Sequence, residues 1–196
     1  MPLMYDLGAG LKGASQAMRE RGWEVVTLDI EPAFGCDITA DVRTWHYTGS
    51  RRPDLLWFSM PCTEFSRESM PWCKTGKVPD MSLIHACLRI QDEMQPLNWV
   101  CENVRGAIRY FRPVMGGYRF HAGPFYLWGW FPPLGKVDMR TFRKKESYWS
   151  KHQAVDRAVI PYALSYSMAV AIESQVALPL PNIASSGQMA RAAICR

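Results

Sequence analysis

The chain has 196 residues, enough for one domain with its own core, and about half of them are apolar, which excludes a disordered chain. Its net charge is +5, from 23 Lys+Arg against 18 Asp+Glu. That mild excess permits a polyanionic partner without demanding one. No apolar run reaches the length of about 18 residues that a membrane-spanning helix needs, so no membrane association is expected. The opening MPLMYDLGAG lacks the basic head and apolar run of a secretion signal.

Taken in chain order, PLMYDL is a short apolar strand that gives way to the glycine-rich GAGLKG. ASQAMRERG carries apolar residues at helical spacing and stops at Gly22. WEVVTLDI is a β-branched strand ending at Asp29, and CDITADV is a short strand after it. RPDLLWFS is a further strand. The spacing of Met81, Ile84, Leu88 and Met94 predicts a helix over 80–95, with Asp80 as its N-cap. NWVCENV is another strand. Residues 107–158 show little periodicity beyond a strand around FYLWGWF, and IPYALSYSMAVAIESQVAL predicts a last helix. Strands alternating with helices predict an α/β fold, with a mostly parallel, doubly wound sheet covered on both faces.

In such sheets ligands bind beyond the carboxyl ends of the strands. The unusual residues of this chain fall at those ends. The first strand runs into Gly8, Gly10 and Gly13, and the second ends at Asp29. Asp37 and Asp41 follow in the third region, Pro61-Cys62 close the fourth strand, and Glu102-Asn103 close the fifth.

Glycines after a strand allow a tight turn and a close approach to a ligand, and the following helix points its N-terminus at the site. Asp29 is placed to accept hydrogen bonds from ribose hydroxyls, or to cap the next element. Loop and acid together indicate a cofactor with a ribose, either a dinucleotide or S-adenosylmethionine. The six cysteines, at 36, 62, 73, 87, 101 and 195, form no CxxC pair and no zinc spacing with histidine, so no metal is expected. Their scatter fits reduced thiols. Cys62 is then either a buried inert thiol or a nucleophile, and its place at a strand end favours the second. Glu102 ends an apolar strand. Burial would raise its pKa and let it donate to a ring nitrogen; the other reading has Glu102-Asn103 cap the next element.

The ordered set Gly-rich loop, TLDI, CDITADV, PCTEFS and ENV closely resembles the cytosine-5 DNA methyltransferases, in particular the short forms of phages and prophages. The match runs from Asp6 to about Val104, with an echo in AVDRAVIPYALSYSMAVAI. The resemblance implies a class I, Rossmann-like methyltransferase fold with S-adenosylmethionine as cofactor and DNA as partner. It implies a bacterial or phage-infected cytoplasm, and a part in DNA methylation of the restriction–modification kind. Cys62 would attack C6 of a flipped-out cytosine, Glu102 would hold or protonate N3, Pro61 would shape the turn and Asn103 would orient the loop. Asp6, Gly8, Ala9, Gly10, Asp29, Ile30, Asp37 and Ile38 would line the cofactor site. Residues 1–179 would form one methyltransferase domain, with 107–158 as a reduced recognition segment and 180–196 as a flexible tail.

Three departures stand out. Gly8 occupies a loop position that is usually aromatic, Met60 replaces the usual proline before Pro61, and the Gln-x-Arg-x-Arg segment is missing. Arg105, Arg109, Arg140 or Arg143 would take over its arginine role. RTFRKKESYWSK, with Arg140, Arg143, Lys144 and Lys145 among aromatics, suits either a phosphate backbone or a solvated loop. The short recognition segment also keeps RNA or free cytosine nucleotides open as substrates, and a catalytically decayed nucleic-acid-binding protein as an alternative.

Overall fold

The computed structural model describes residues 1–66, 78–140 and 159–176. Arg143, Lys144 and Lys145, most of the 140–151 segment and the expected tail lie outside these residues.

One seven-stranded sheet has the order β3-β2-β1-β4-β5-β7-β6. Strands β1 (Leu3–Leu7), β2 (Glu24–Asp29), β3 (Ile38–Thr39), β4 (Leu55–Ser59) and β5 (Asn98–Asn103) are parallel. β7 (Phe125–Trp130) runs antiparallel to β5, and β6 (Phe120–Ala122) pairs antiparallel with β7 at the edge. The sheet is therefore mostly parallel, Rossmann-like and doubly wound, as expected.

Both faces are covered, which explains the continuous apolar runs in the central strands. One face packs Met4, Leu55, Trp57 and Val100 against α1 (Gln16–Glu20) and α5 (Tyr162–Val176), through Met18, Leu164 and Met168. The other packs Leu7, Leu28, Phe58 and Cys101 against α2 (Thr63–Ser66), α3 (Ser82–Met94) and α4 (Ile108–Met115), through Phe65, Ile90 and Phe111. Each fully buried Leu or Phe of these layers contributes about 1.5–3 kcal/mol. Ser165 is a polar residue in the first layer. Its hydroxyl donates to Ala14 O at 2.7 Å and accepts from Ala17 N at 3.2 Å, which locks α5 onto the glycine loop and α1.

Some local expectations are corrected. α1 holds only five residues and starts at Gln16, well beyond the glycine loop. The α3 cap position is Met81, while the Asp80 carboxylate accepts from Ser82 N at 2.8 Å. Residues 107–131 are not irregular, because they supply α4 and a β-hairpin. Pro113 inside α4 and Gly116 at its end hid that helix from a periodicity reading.

Candidate functional site

Alternation along the strands places the site. Met4 and Trp57 face the α1/α5 layer while Leu7 and Phe58 face the other. Side chains two apart share a face, so Asp6 and Ser59 point the same way as Met4 and Trp57. Glu102 shares its face with Val100 of the α1/α5 layer, and Asp29 with Val25, which packs against that layer. Four polar residues from four neighbouring strands thus converge at the carboxyl ends on one face. The register sets Ser59 directly beside Glu102.

Asp6 is fully buried, and neither carboxylate oxygen has a hydrogen bond. Burial pushes its carboxyl up to about 6; Ser15 and Arg19 lower it and Asp29 raises it. The Ser15 hydroxyl donates to Lys12 O at 3.3 Å. An acceptor pair without a donor beneath a glycine loop suits a ligand that brings hydrogen-bond donors.

The loop itself bends back onto β2. Gly8 N and Ala9 N both donate to Leu28 O, at 2.8 and 3.1 Å, and Gly10 N donates to Asp29 Oδ2 at 2.9 Å. Asp29 Oδ1 accepts from Glu31 N at 3.0 Å. The amides that a pyrophosphate would need are therefore already used, and the short α1 offers no helix end beside them. Of the two ribose cofactors, the arrangement disfavours the dinucleotide. Asp29 keeps lone pairs for a sugar hydroxyl. Ile30 next to it is exposed, a free apolar surface at the strand end. These features fit S-adenosylmethionine.

Asp37 has a job within the protein. Its Oδ2 accepts from Thr27 N at 2.8 Å and from Thr27 Oγ1 at 2.7 Å, which holds its carboxyl below the usual range. This pairing fixes the chain just before Ile38, whose strand partner is Leu28.

Gly8 has φ +68, a conformation that side chains rarely adopt. A Cβ there would lie 2.7 Å from Met60 Cε and 2.7 Å from Ser59 O. The buried Met60 side chain therefore sits against the glycine loop at Gly8. Gly8 and Met60 thus touch each other.

Pro61 is exposed and Cys62 half-buried, at the start of α2. Ser66 N donates to Cys62 O at 2.9 Å, closing that single turn. Asn103 holds the turn in place. Its Nδ2 donates to Met60 O at 3.2 Å and its Oδ1 accepts from Val104 N at 2.9 Å. Gly106 follows in a 3-10 turn (Arg105–Ala107) whose close approach to Phe65 O leaves no room for a Cβ. Glu102 is buried, and burial alone pushes its carboxyl up to about 8. It is thus a neutral donor at pH 7.

The structure brings Cys62, Glu102, Asn103 and the Asp6–Gly10 loop to the same sheet end. It does not bring Arg140 there as a free cation: Arg140 is paired with Asp138, Nε to Oδ1 at 2.9 Å. Arg105 is exposed on the 3-10 turn after β5. Sequence reading missed Gly106 and the packing of Met60 on the loop. A glycine three residues after Asn103 was the available signal for the first; the second needed the fold.

No protein-family model matches the chain, and no curated protein matches it in sequence. Two solved structures resemble it in fold. One is a protein encoded within an E. coli prophage and described as a DNA modification methyltransferase. It shares 17% identity over 66% of this chain and 47% of its own, with a TM-score of 0.48. The other is the S. pombe Dnmt2 methyltransferase, with 17% identity over 79% of this chain and 58% of its own, and a TM-score of 0.47. This chain spans about half the length of those two. At that identity and score the likeness says nothing of chemistry. Among the described residues no helix is long and apolar enough to cross a membrane, and no cluster of His, Cys, Asp or Glu could hold a metal ion.

Proposed function

We propose that the protein transfers a methyl group to C5 of cytosine in DNA, with Cys62 as nucleophile. The observation that carries this is the pairing of a thiol turn with a neutral carboxyl. Asn103 ties the Met60–Cys62 turn to the end of β5, where Glu102 is kept protonated near neutrality by burial. A nucleophile on a turn tied to the strand that carries a neutral acid suits attack on a ring that gains negative charge.

The steps balance. The Cys62 sulfur, as thiolate, forms a bond to C6 of the base. Glu102 donates its carboxyl hydrogen to N3, and C5 becomes a carbon nucleophile. S-adenosylmethionine, when bound, supplies the methyl group that C5 takes. The C5 proton then leaves to solvent water, the S–C6 bond breaks to release the thiolate, and the N3 proton returns to the Glu102 carboxylate, with S-adenosylhomocysteine as the by-product. Cys62 cannot reach C6 within a duplex, so the base enters the pocket flipped out. Asp6, Asp29 and the Gly8–Gly10 backbone would hold the cofactor, with Ile30 against its base. Asp37 and Ile38 would support that wall, and Pro61 would set the direction of the thiol.

The test is incubation with methyl-labelled S-adenosylmethionine and DNA, RNA or dCTP, followed by nucleoside analysis. The expected product is 5-methylcytosine in DNA, with none from Cys62→Ala. Product from RNA or dCTP alone would replace the substrate. Label transfer that survives Cys62→Ala would overturn the mechanism.

A further inference from the structure

The chain holds 23 Lys+Arg and 18 Asp+Glu. Residues 103–137 hold five of the basic residues (Arg105, Arg109, Arg112, Arg119 and Lys136) and not one acid. The remaining 18 basic residues balance the 18 acids, so the whole net charge of +5 comes from this one stretch. All five side chains are exposed.

Their surroundings differ from those of most described arginines elsewhere; Arg52, which donates to the Gln95 and Pro96 carbonyls, is the exception. Arg19, Arg21, Arg43, Arg51, Arg89 and Arg140 each face a carboxylate. Arg105, Arg112 and Arg119 make no ion pair with any described residue. The Arg119 guanidinium lies over the Trp130 ring, 4.9 Å from its centre; the Arg109 guanidinium lies over Tyr110 at 4.5 Å and donates to its hydroxyl. Trp130 and Tyr118 are themselves exposed, at 65% and 41%.

The stretch forms one connected part of the fold. The 3-10 turn and α4 follow directly from Glu102-Asn103, and the hairpin of β6 and β7 forms the sheet edge. Phe111 of α4 meets Trp128 of β7 edge-to-face at 4.9 Å. Phe65, three residues after Cys62, meets Phe111 at 5.0 Å. A chain of rings therefore runs from the thiol turn out to the hairpin.

We infer that the α4–hairpin surface docks the nucleic-acid strand that flanks the target base. Unpaired guanidinium groups recognise phosphates, and exposed rings among them stack on bases, a pairing that an acidic protein or a lipid headgroup does not need. The identity of the polyanion rests on the reaction proposed above.

The test measures binding of a short fluorescein-labelled, cytosine-containing DNA duplex across a salt series, with no turnover required. The triple variant Arg105→Gln, Arg112→Gln, Arg119→Gln is expected to bind at least about tenfold more weakly, with the log–log salt slope reduced by about 0.9 for each phosphate no longer neutralised. Trp130→Ala is expected to lose affinity several-fold. Arg43→Gln with Arg51→Gln, which removes charge elsewhere, should leave the slope unchanged. Should the triple variant fail to fold, Arg112→Glu alone on the exposed face of α4 carries the same expectation.

Unchanged affinity and slope in the patch variants would overturn the inference, even if wild-type protein methylates DNA. Binding that falls with the patch variants while no methyl transfer occurs would keep the docking surface and overturn the reaction. Patch-dependent binding to anionic phosphatidylserine vesicles, with no binding to DNA, would overturn the nucleic-acid assignment.

Discussion

The Asn103 amide donates to Met60 O at 3.2 Å, joining the residue after Glu102 to the residue two before Cys62. Asn103 is fully buried, and its other amide atom is used by Val104 N. One side chain thus sets the spacing between the thiol turn and the acid. Asn103→Ala would leave Met60 O without its donor, a loss of about 1–3 kcal/mol for a buried group. Methyl transfer is expected to fall at least about tenfold through kcat, with the KM for S-adenosylmethionine little changed. A change confined to that KM would show that Asn103 serves the cofactor instead.

Gly8 and Met60 form a second link, between the cofactor loop and the same turn. Gly8→Ala places a Cβ at φ +68 against Met60 Cε and Ser59 O. A thermal unfolding midpoint several degrees lower and weaker S-adenosylmethionine binding by calorimetry are expected. Met60→Ala in the same chain should restore part of the loss, because it removes the Cε clash but leaves the Ser59 carbonyl. Strictly additive losses would show that the two residues are not coupled.

Glu102 gives a pH dependence with a definite sign. Burial raises its folded pKa from 4.5 to about 8. The neutral form is thus the one the fold favours. The stability this group contributes is fully present below about 4.5 and is lost as pH rises through about 8. Glu102→Gln removes the group that ionises, so its urea unfolding stability should decline less between pH 5 and pH 9 than that of wild type, by on the order of a few kcal/mol. In wild type, kcat should also fall as pH rises through about 8, and Glu102→Gln should lack that limb while being slower below it. An unaltered limb in the variant would assign it to another group.

Much of this fold was legible because the long central parallel strands are apolar runs that end in a glycine, a polar residue or an acid. Burial on both faces demands the run, and the ligand end demands the change. Leu55–Phe58 and Val100–Asn103 show both. The candidate residues at the strand ends were picked out for the same reason. Sequence could not show that Gly8 N and Ala9 N turn back to Leu28 O, since that bond joins segments 19–20 residues apart. Nor could it show Asn103 reaching Met60, 43 residues away. α4 was missed because Pro113 removes a helical donor in a helix of only eight residues. The basic surface was sought in the Lys/Arg run at 140–151. The charge at 103–137 is spread thinly among aromatics, and shows only when the absence of acids is noticed.

The central claim is a covalent bond between Cys62 and the base. DNA carrying 5-fluorocytosine in place of cytosine, incubated with the protein and S-adenosylmethionine, tests it most directly, because fluorine at C5 cannot leave as a proton and the adduct persists. Mass spectrometry of the digested complex should find the methylated fluoropyrimidine on the Cys62 peptide, and Cys62→Ala should give no adduct. Turnover on ordinary DNA with no adduct on the fluorinated strand, or an adduct that survives Cys62→Ala, would contradict the account.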